Sequence, residues 1–226
     1  MTTVMASIEQ LIAAVDTADS AVALVVAVRQ LAASRSPLAV PALTTVLRFN
    51  NPGAAVAAVE GLIQIGEPAI PHLLANMDGF NYGARAWATR ACAGIGDPRA
   101  LDLLREAALT DFALSVRRAA AKGLGFLKWQ SLPADQQLAV QNTIYEALVQ
   151  VTHDAEWVVR YAAIAGLENL AKQAPRYREA IIETIVPLGK TDSEAIVRER
   201  SRWAIAGLTP GSAVDTIHTN TSSTSG

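Results

Sequence analysis

An all-α solenoid, a row of about six stacked helix pairs, is the fold this chain predicts. Two observations carry that expectation. The first is a recurring segment. Val116-Arg117-Arg118-Ala119-Ala120-Ala121-Lys122-Gly123-Leu124 is echoed at Val159 to Leu167, Ala84 to Cys92 and Val197 to Ile205, without the arginine at Ala54 to Leu62, and weakly at Ala23 to Leu31. The copies start at positions 23, 54, 84, 116, 159 and 197. Recurrence at roughly 30–45 residues marks units that bury their apolar faces only by stacking on one another. The second is periodicity: apolar residues in each copy recur at helical spacing, and no stretch alternates as a strand does. Such a fold has no compact catalytic core, so its function lies on an extended surface.

The elements follow in order. Ile8 to Val15 has helical spacing and caps the array, within an N-terminal segment of residues 1–18. Ser20 is a good N-cap for a helix running to about Ala33. Over residues 19–208 each further unit reads as helix A, a short turn and helix B. Pro37, Pro68 and Pro98 begin A helices, where the missing N–H costs no hydrogen bond. Val40 to Leu43, Ile70 to Leu73 and Leu101 to Leu104 are the apolar faces of those helices. Asp78, Asp111, Asp154 and Asp192 precede B segments by five or six residues. They fit two readings, N-caps of helix B or ion-pair partners for arginines of a neighbouring repeat. Trp129 to Pro133 inserts a loop that lengthens the fourth-to-fifth spacing. Pro210-Gly211 stops the last helix, and the Ser/Thr-rich residues 209–226 read as a disordered tail.

Within helix B, the first residue and those three, four, seven and eight later share one face, here Val116, Ala119, Ala120, Gly123 and Leu124. Small residues there let paired helices approach closely. The other face carries Arg117, Arg118 and Lys122, then Arg85 and Arg90, Arg160 and Tyr161, and Arg198, Arg202 and Trp203. B helices line the concave side of such arrays, so a groove walled by arginines and aromatics is expected. Arg85, Arg117, Arg160 and Arg198 fit anion binding, but a structural ladder to the aspartates is the favoured reading for this column. Arg90, Arg118 and Lys122 are less explained by pairing and are the better binding candidates. Of the aromatics just before helix B, at the turn between helices A and B, Tyr82 and Trp157 fit ligand contact or packing under the turn equally well. Phe49, Phe80 and Phe112 read as packing.

Composition narrows the function. Apolar residues make up 51% of 226 and the net charge is −2, enough for a continuous core and without the basic excess of a nucleic-acid binder. Of 19 cations 15 are arginine, the residue suited to carboxylates and phosphates. One cysteine excludes an internal disulfide and suits a reducing cytoplasm. The longest apolar run, Ala21 to Val28, is far short of the ~20 residues of a membrane span, and the N-terminus lacks a signal-peptide pattern. Cys92 sits in the slot of Leu62, Leu124 and Leu167, a core slot for an inert thiol. His72, His153 and His218 show no metal-ligand spacing, and no phosphate loop, nucleophile elbow or paired-carboxylate motif is present. Residue chemistry alone supports a binding surface, with catalytic residues unassigned.

Asn50-Asn51-Pro52-Gly53-Ala54 through Ala69, Asn81-Tyr82-Gly83-Ala84-Arg85-Ala86-Trp87, Ile95-Gly96-Asp97-Pro98-Arg99-Ala100 and Asp111 to Ala120 resemble the HEAT-like repeats of the phycobilin lyases of cyanobacteria. More narrowly they resemble the smaller, F-type subunits of heterodimeric E/F lyases. The likeness runs from about Ile8 to Leu208; the Ile-Gly-Asp-Pro string is common among HEAT-like proteins, whereas the Asn-Pro-Gly and Asn-Tyr-Gly-Ala-Arg-Ala-Trp strings are more specific. The resemblance implies about six HEAT-like (PBS lyase) repeats. It also implies that an acceptor thiol adds to the ethylidene of bilin ring A, giving a thioether. The partners implied are an E-type subunit, phycocyanobilin as substrate and the α-subunit of phycocyanin as acceptor, with no cofactor, metal, nucleic acid or membrane. Tyr82, Arg85, Arg90, Arg118, Lys122, Trp157 and Tyr161 are the bilin-contact candidates. Relatives that also isomerise the bilin depend on an adjacent His and Cys; Cys92 lies between Ala91 and Ala93, which argues for ligation alone. Ala21 to Val28 is apolar on every face, so its helix needs further cover, which an E-type subunit would supply. The alternatives are a bilin-detaching protein of phycobilisome degradation and a pigment-independent scaffold.

Overall fold

The computed structural model describes residues 6–77 and 81–209. Among these, every regular element is helical: α1 (Ile8–Asp16), α2 (Ala21–Ala33), α3 (Val40–Val46), α4 (Pro52–Ile65), α5 (Ile70–Ala75), α6 (Tyr82–Ile95), α7 (Leu101–Thr110), α8 (Leu114–Gly125), α9 (Ala134–Val151), α10 (Trp157–Gln173), α11 (Arg178–Thr191) and α12 (Ala195–Leu208). The predicted all-α solenoid is the observed fold. The expected tail, apart from Thr209, and residues 1–5 of the capping segment lie outside the described residues.

Local chemistry sets the boundaries. Ser7 and Gln10 close a capping box on α1. Ser20, Asn51 and Asn81 cap α2, α4 and α6 by accepting the N–H three residues on. The prolines differ from expectation. Pro37 and Pro98 open, and Pro68 lies within, three-residue 3₁₀ turns ending at Ala39, Ala69 and Ala100, and the α-helices start only afterwards. Those alanines are fully buried, so the tight turn presses the entry of each A helix onto the core. Residues 129–133 are likewise more than a loop. Trp129–Ser131 forms a 3₁₀ turn that buries Trp129.

Packing builds two layers. The B helices α2, α4, α6, α8, α10 and α12 stack on one another in order, and each packs against its own A helix. Small residues permit this. A Cβ on Gly125 would lie 2.1 Å from the Gly166 Cα, so α8 and α10 cross backbone against backbone. Asp97, in the Ile-Gly-Asp-Pro string, caps the Arg99 N–H and holds the Arg99 guanidinium, which donates to the Glu67 carbonyl of the preceding repeat. One core runs from Val15 to Leu208 through these layers. The apolar run Ala21 to Val28 of α2 is only partly covered: Val28 and the following Leu31 are fully buried, whereas Val22 is 75% exposed.

Candidate functional site

The ladder comes first, because it separates structural arginines from available ones. Arg117 of α8 makes a two-pronged pair with Asp154 of the next repeat, at 2.7 and 3.1 Å, and its third nitrogen donates to the carbonyls of Asp111 and Phe112. Arg160 of α10 repeats this with Asp192, at 2.8 and 2.7 Å, and with the carbonyls of Asp154 and Ala155. Arg198 grips the carbonyls of Asp192 and Ser193. Of the two readings open for the aspartates, the ladder holds for Asp154 and Asp192. The B-helix N-caps are instead Glu156 and Glu194, whose N–H groups the same carboxylates accept. The Arg160 guanidinium holds the Asp192 carboxyl below the usual carboxylate range.

The ladder stops at α6. Asp111 accepts the Tyr82 hydroxyl at 3.3 Å and the Ala113 N–H, and among the described residues no carboxylate pairs with Arg85. Burial, then the Asp111 charge, raises the Tyr82 pKa, so the phenol keeps its proton. Tyr82 and Arg85 line a cleft of about 420 Å³ between α6 and α7, with Glu106 and Phe112. The Tyr82 and Phe112 rings lie 4.2 Å apart. The expectation that Phe49 and Phe112 pack beneath their turns is corrected. Phe112 is 78% exposed because Tyr82 covers only one of its faces, and Phe49 is exposed too. Phe80 and Asp78 lie outside the described residues.

A separate groove of about 590 Å³ crosses the B-helix face over α4, α6 and α8. Arg90 enters it from α6, and Arg118 and Lys122 from α8. Its floor is Val59, Ile63, Ala93 and Ala119, with Phe126 at one end. Gly94 and Gly123 make the floor possible: a Cβ on either would sit 2.3 Å from Ile63 Cδ1 or 2.5 Å from Ala93 Cβ. The Arg90 guanidinium lies 5.0 Å from the Trp87 ring centre and the Lys122 ammonium 6.0 Å from that of Phe126. Among the described residues none of the three cations has a carboxylate partner. Arg117 and Arg118, neighbours in sequence, therefore do opposite things. One side chain turns into the ladder, and the next, about 100° round the helix, turns into the groove. The surface offers three uncommitted positive charges over an apolar floor, a fit for a flat apolar molecule carrying carboxylates.

Trp157 and Tyr161 occupy a third place, one helix on. Four residues apart on α10, both are exposed, and the Arg200 guanidinium of α12 lies 5.6 Å from the Tyr161 ring centre while pairing with Glu168. The seven candidates thus occupy three neighbouring places and not one wall. Ile63 and Phe126 were missed, because an apolar residue lining a groove has the same sequence signature as one in the core. Cys92 is fully buried, and burial pushes its thiol up to about 12, so it supplies no thiolate. Among the described residues no cluster could hold a metal ion, and no helix is long and apolar enough to cross a membrane.

Residues 54–79 match the PBS lyase HEAT-like repeat and residues 70–141 match HEAT repeats. The chain is 71% identical over 203 residues, 90% of its length and 95% of the relative's, to the phycocyanin alpha phycocyanobilin lyase CpcF of Synechocystis. It is 54% identical to the phycobilisome maturation protein of Synechococcus elongatus, covering 89% of this chain and 98% of that one. Among solved structures it matches a chain of the complex of CpcE and CpcF of phycocyanin lyase from Nostoc with a TM-score of 0.70 and 46% identity, over 75% of this chain and 99% of that chain.

Proposed function

The chain belongs to the phycocyanobilin lyase family built of PBS-lyase HEAT-like repeats, and from that premise we propose that it is the smaller subunit of a heterodimeric lyase. With an E-type partner it promotes thioether attachment of phycocyanobilin to a cysteine of the phycocyanin α-subunit. The observation that carries this reading is the 71% identity to a lyase of that description over nearly the whole of both chains.

The reaction is an addition. The acceptor sulfur bonds to the ethylidene carbon of ring A, the double bond is consumed, and the proton is delivered to the pigment, so no atom leaves. The nucleophile belongs to the acceptor, in keeping with a buried, protonated Cys92. The chain holds the pigment in one orientation, which turns a bimolecular encounter into a positioned one. Arg90, Arg118 and Lys122 take the two propionates, and Val59, Ile63 and Ala119 face the ring system. Tyr82 and Arg85 lie in their own cleft, and neither they nor Trp157 and Tyr161 of α10 line this groove. The pigment is substrate and the chain needs no cofactor of its own; the reaction belongs to the cytoplasm.

The test is to co-produce the chain with an E-type subunit, phycocyanobilin and the apo α-subunit. Covalent pigment on the acceptor only when both subunits are present is the expected result. Loss of pigment from a preformed holo-acceptor would assign the chain to detachment instead. No pigment binding in any combination would leave a scaffold.

A further inference from the structure

We propose that Trp157 and Tyr161 of α10, with Ile196 and Trp203 of α12, form a shelf on which the acceptor polypeptide docks, seating the apolar surface around its cysteine beside the groove. The inference rests on the lyase reading above.

The four side chains form one strip. Trp157 and Tyr161 are four residues apart, and Ile196 and Trp203 seven, so each pair shares a helix face. Arg200 lies between Ile196 and Trp203 on that face and reaches over the Tyr161 ring, which joins the two helices. All four are exposed, Trp203 at 78%. An aromatic carries a large apolar area, and a contiguous exposed patch of this kind marks a binding surface.

Its place relative to the groove identifies the occupant. In the repeat register Tyr161 stands where α8 has Arg118, and Trp203 where α8 has Lys122. The shelf therefore continues the groove's own column across the next two B helices. A thiol that attacks a pigment lying over α4 to α8 must arrive on a polypeptide seated at a border of that groove. Two borders are available. On the α2 side, the exposed large apolar residues are the aliphatic Val22 and Val26, with Arg29 and Gln30 exposed at the end of the same face, and that side suits the E-type subunit. On the α10–α12 side, aromatics sit among charges already neutralised within the chain, Arg200 by Glu168 and Arg202 by Glu199. Aromatic anchors inside a polar rim are the composition of an interface that forms and releases, as an acceptor must at each turnover.

The test compares heterodimers carrying Trp203→Ala, Ile196→Ala or Trp203→Phe with wild type, varying apo α-subunit at saturating phycocyanobilin. The alanine variants should raise the acceptor concentration for half-maximal rate about tenfold, with maximal rate and E-subunit co-purification unchanged. Trp203→Phe should restore most of the loss. An unchanged half-saturation in both alanine variants overturns the proposal. Loss of the E-type subunit from either alanine variant overturns it equally, because the shelf would then belong to that partner. A wild-type heterodimer that attaches no pigment fails the lyase reading itself, and the inference with it.

Discussion

Two adjacent arginines show how little a residue's identity says about its role. Arg117 spans to Asp154 with both side chains largely buried, so Arg117→Ala strands a carboxylate and two carbonyls. The expected cost is about 2–3 kcal/mol. In a chain of this size that lowers the melting temperature by about 5–10 °C, readable by calorimetry. Arg118 is exposed and, among the described residues, has no such partner, so Arg118→Gln should leave the melting temperature within a degree or so while lowering bilin transfer severalfold. Transfer unchanged in Arg118→Gln and in Lys122→Gln would remove the groove from the mechanism. Cys92 is the converse case, a reactive residue type in an inert place. Cys92→Ala should cost about 1 kcal/mol and leave holo-acceptor yield intact, and the native thiol should resist alkylation at neutral pH. Both arginines were visible in the sequence as a pair of columns. Which column was structural needed only the position of the next repeat's aspartate, and that is a distance the sequence does not contain.

At the scale of elements, the crossing of α8 over α10 limits what the array tolerates. Gly125 meets Gly166 with no room for a Cβ, and Asn169 donates to the Gly125 carbonyl at 2.7 Å to finish the contact. Gly125→Val should push the helices apart and cost about 3 kcal/mol or more, seen as a lower urea midpoint. Gly83→Ala, at a position where the added Cβ meets nothing closer than 3.6 Å, is the mild control. Helix extents were legible because caps and apolar spacing are local. The Ser20 cap and the helix to Ala33 are as expected. The 3₁₀ turns before α3, α5 and α7 were not legible, since Pro is equally at home at the first position of either helix type and burial of the following alanine selects the tighter turn.

For the whole molecule, stability is distributed along side-chain links within and between repeats, and several of them are tied to pH. Arg160 depresses the pKa of Asp192, and Arg99 that of Asp97. A carboxylate whose folded pKa is depressed contributes stability above its unfolded value of about 4, and that contribution is lost as pH falls through the folded value. The melting temperature should therefore drop steeply below about pH 4, and Asp192→Asn should be less stable at pH 7 yet flatter in that acid range. At the other end of the array, Val26→Asp should release the E-type subunit with the chain still folded, since Val26 is already 48% exposed. A folded variant that still co-purifies with the partner would move that interface elsewhere. The amino-acid sequence by itself determined the repeat number, the all-helical class and the core slots, because each is written in local spacing that recurs six times, while the resemblance to the family rests on particular strings such as Asn81 to Trp87. Only the tertiary structure decided that the ladder stops short of Arg85, that three cations converge over an apolar floor, and that Arg200 reaches from α12 over the Tyr161 ring of α10. Those facts depend on how neighbouring repeats are rotated and spaced, a sum of close contacts between residues about thirty or more positions apart.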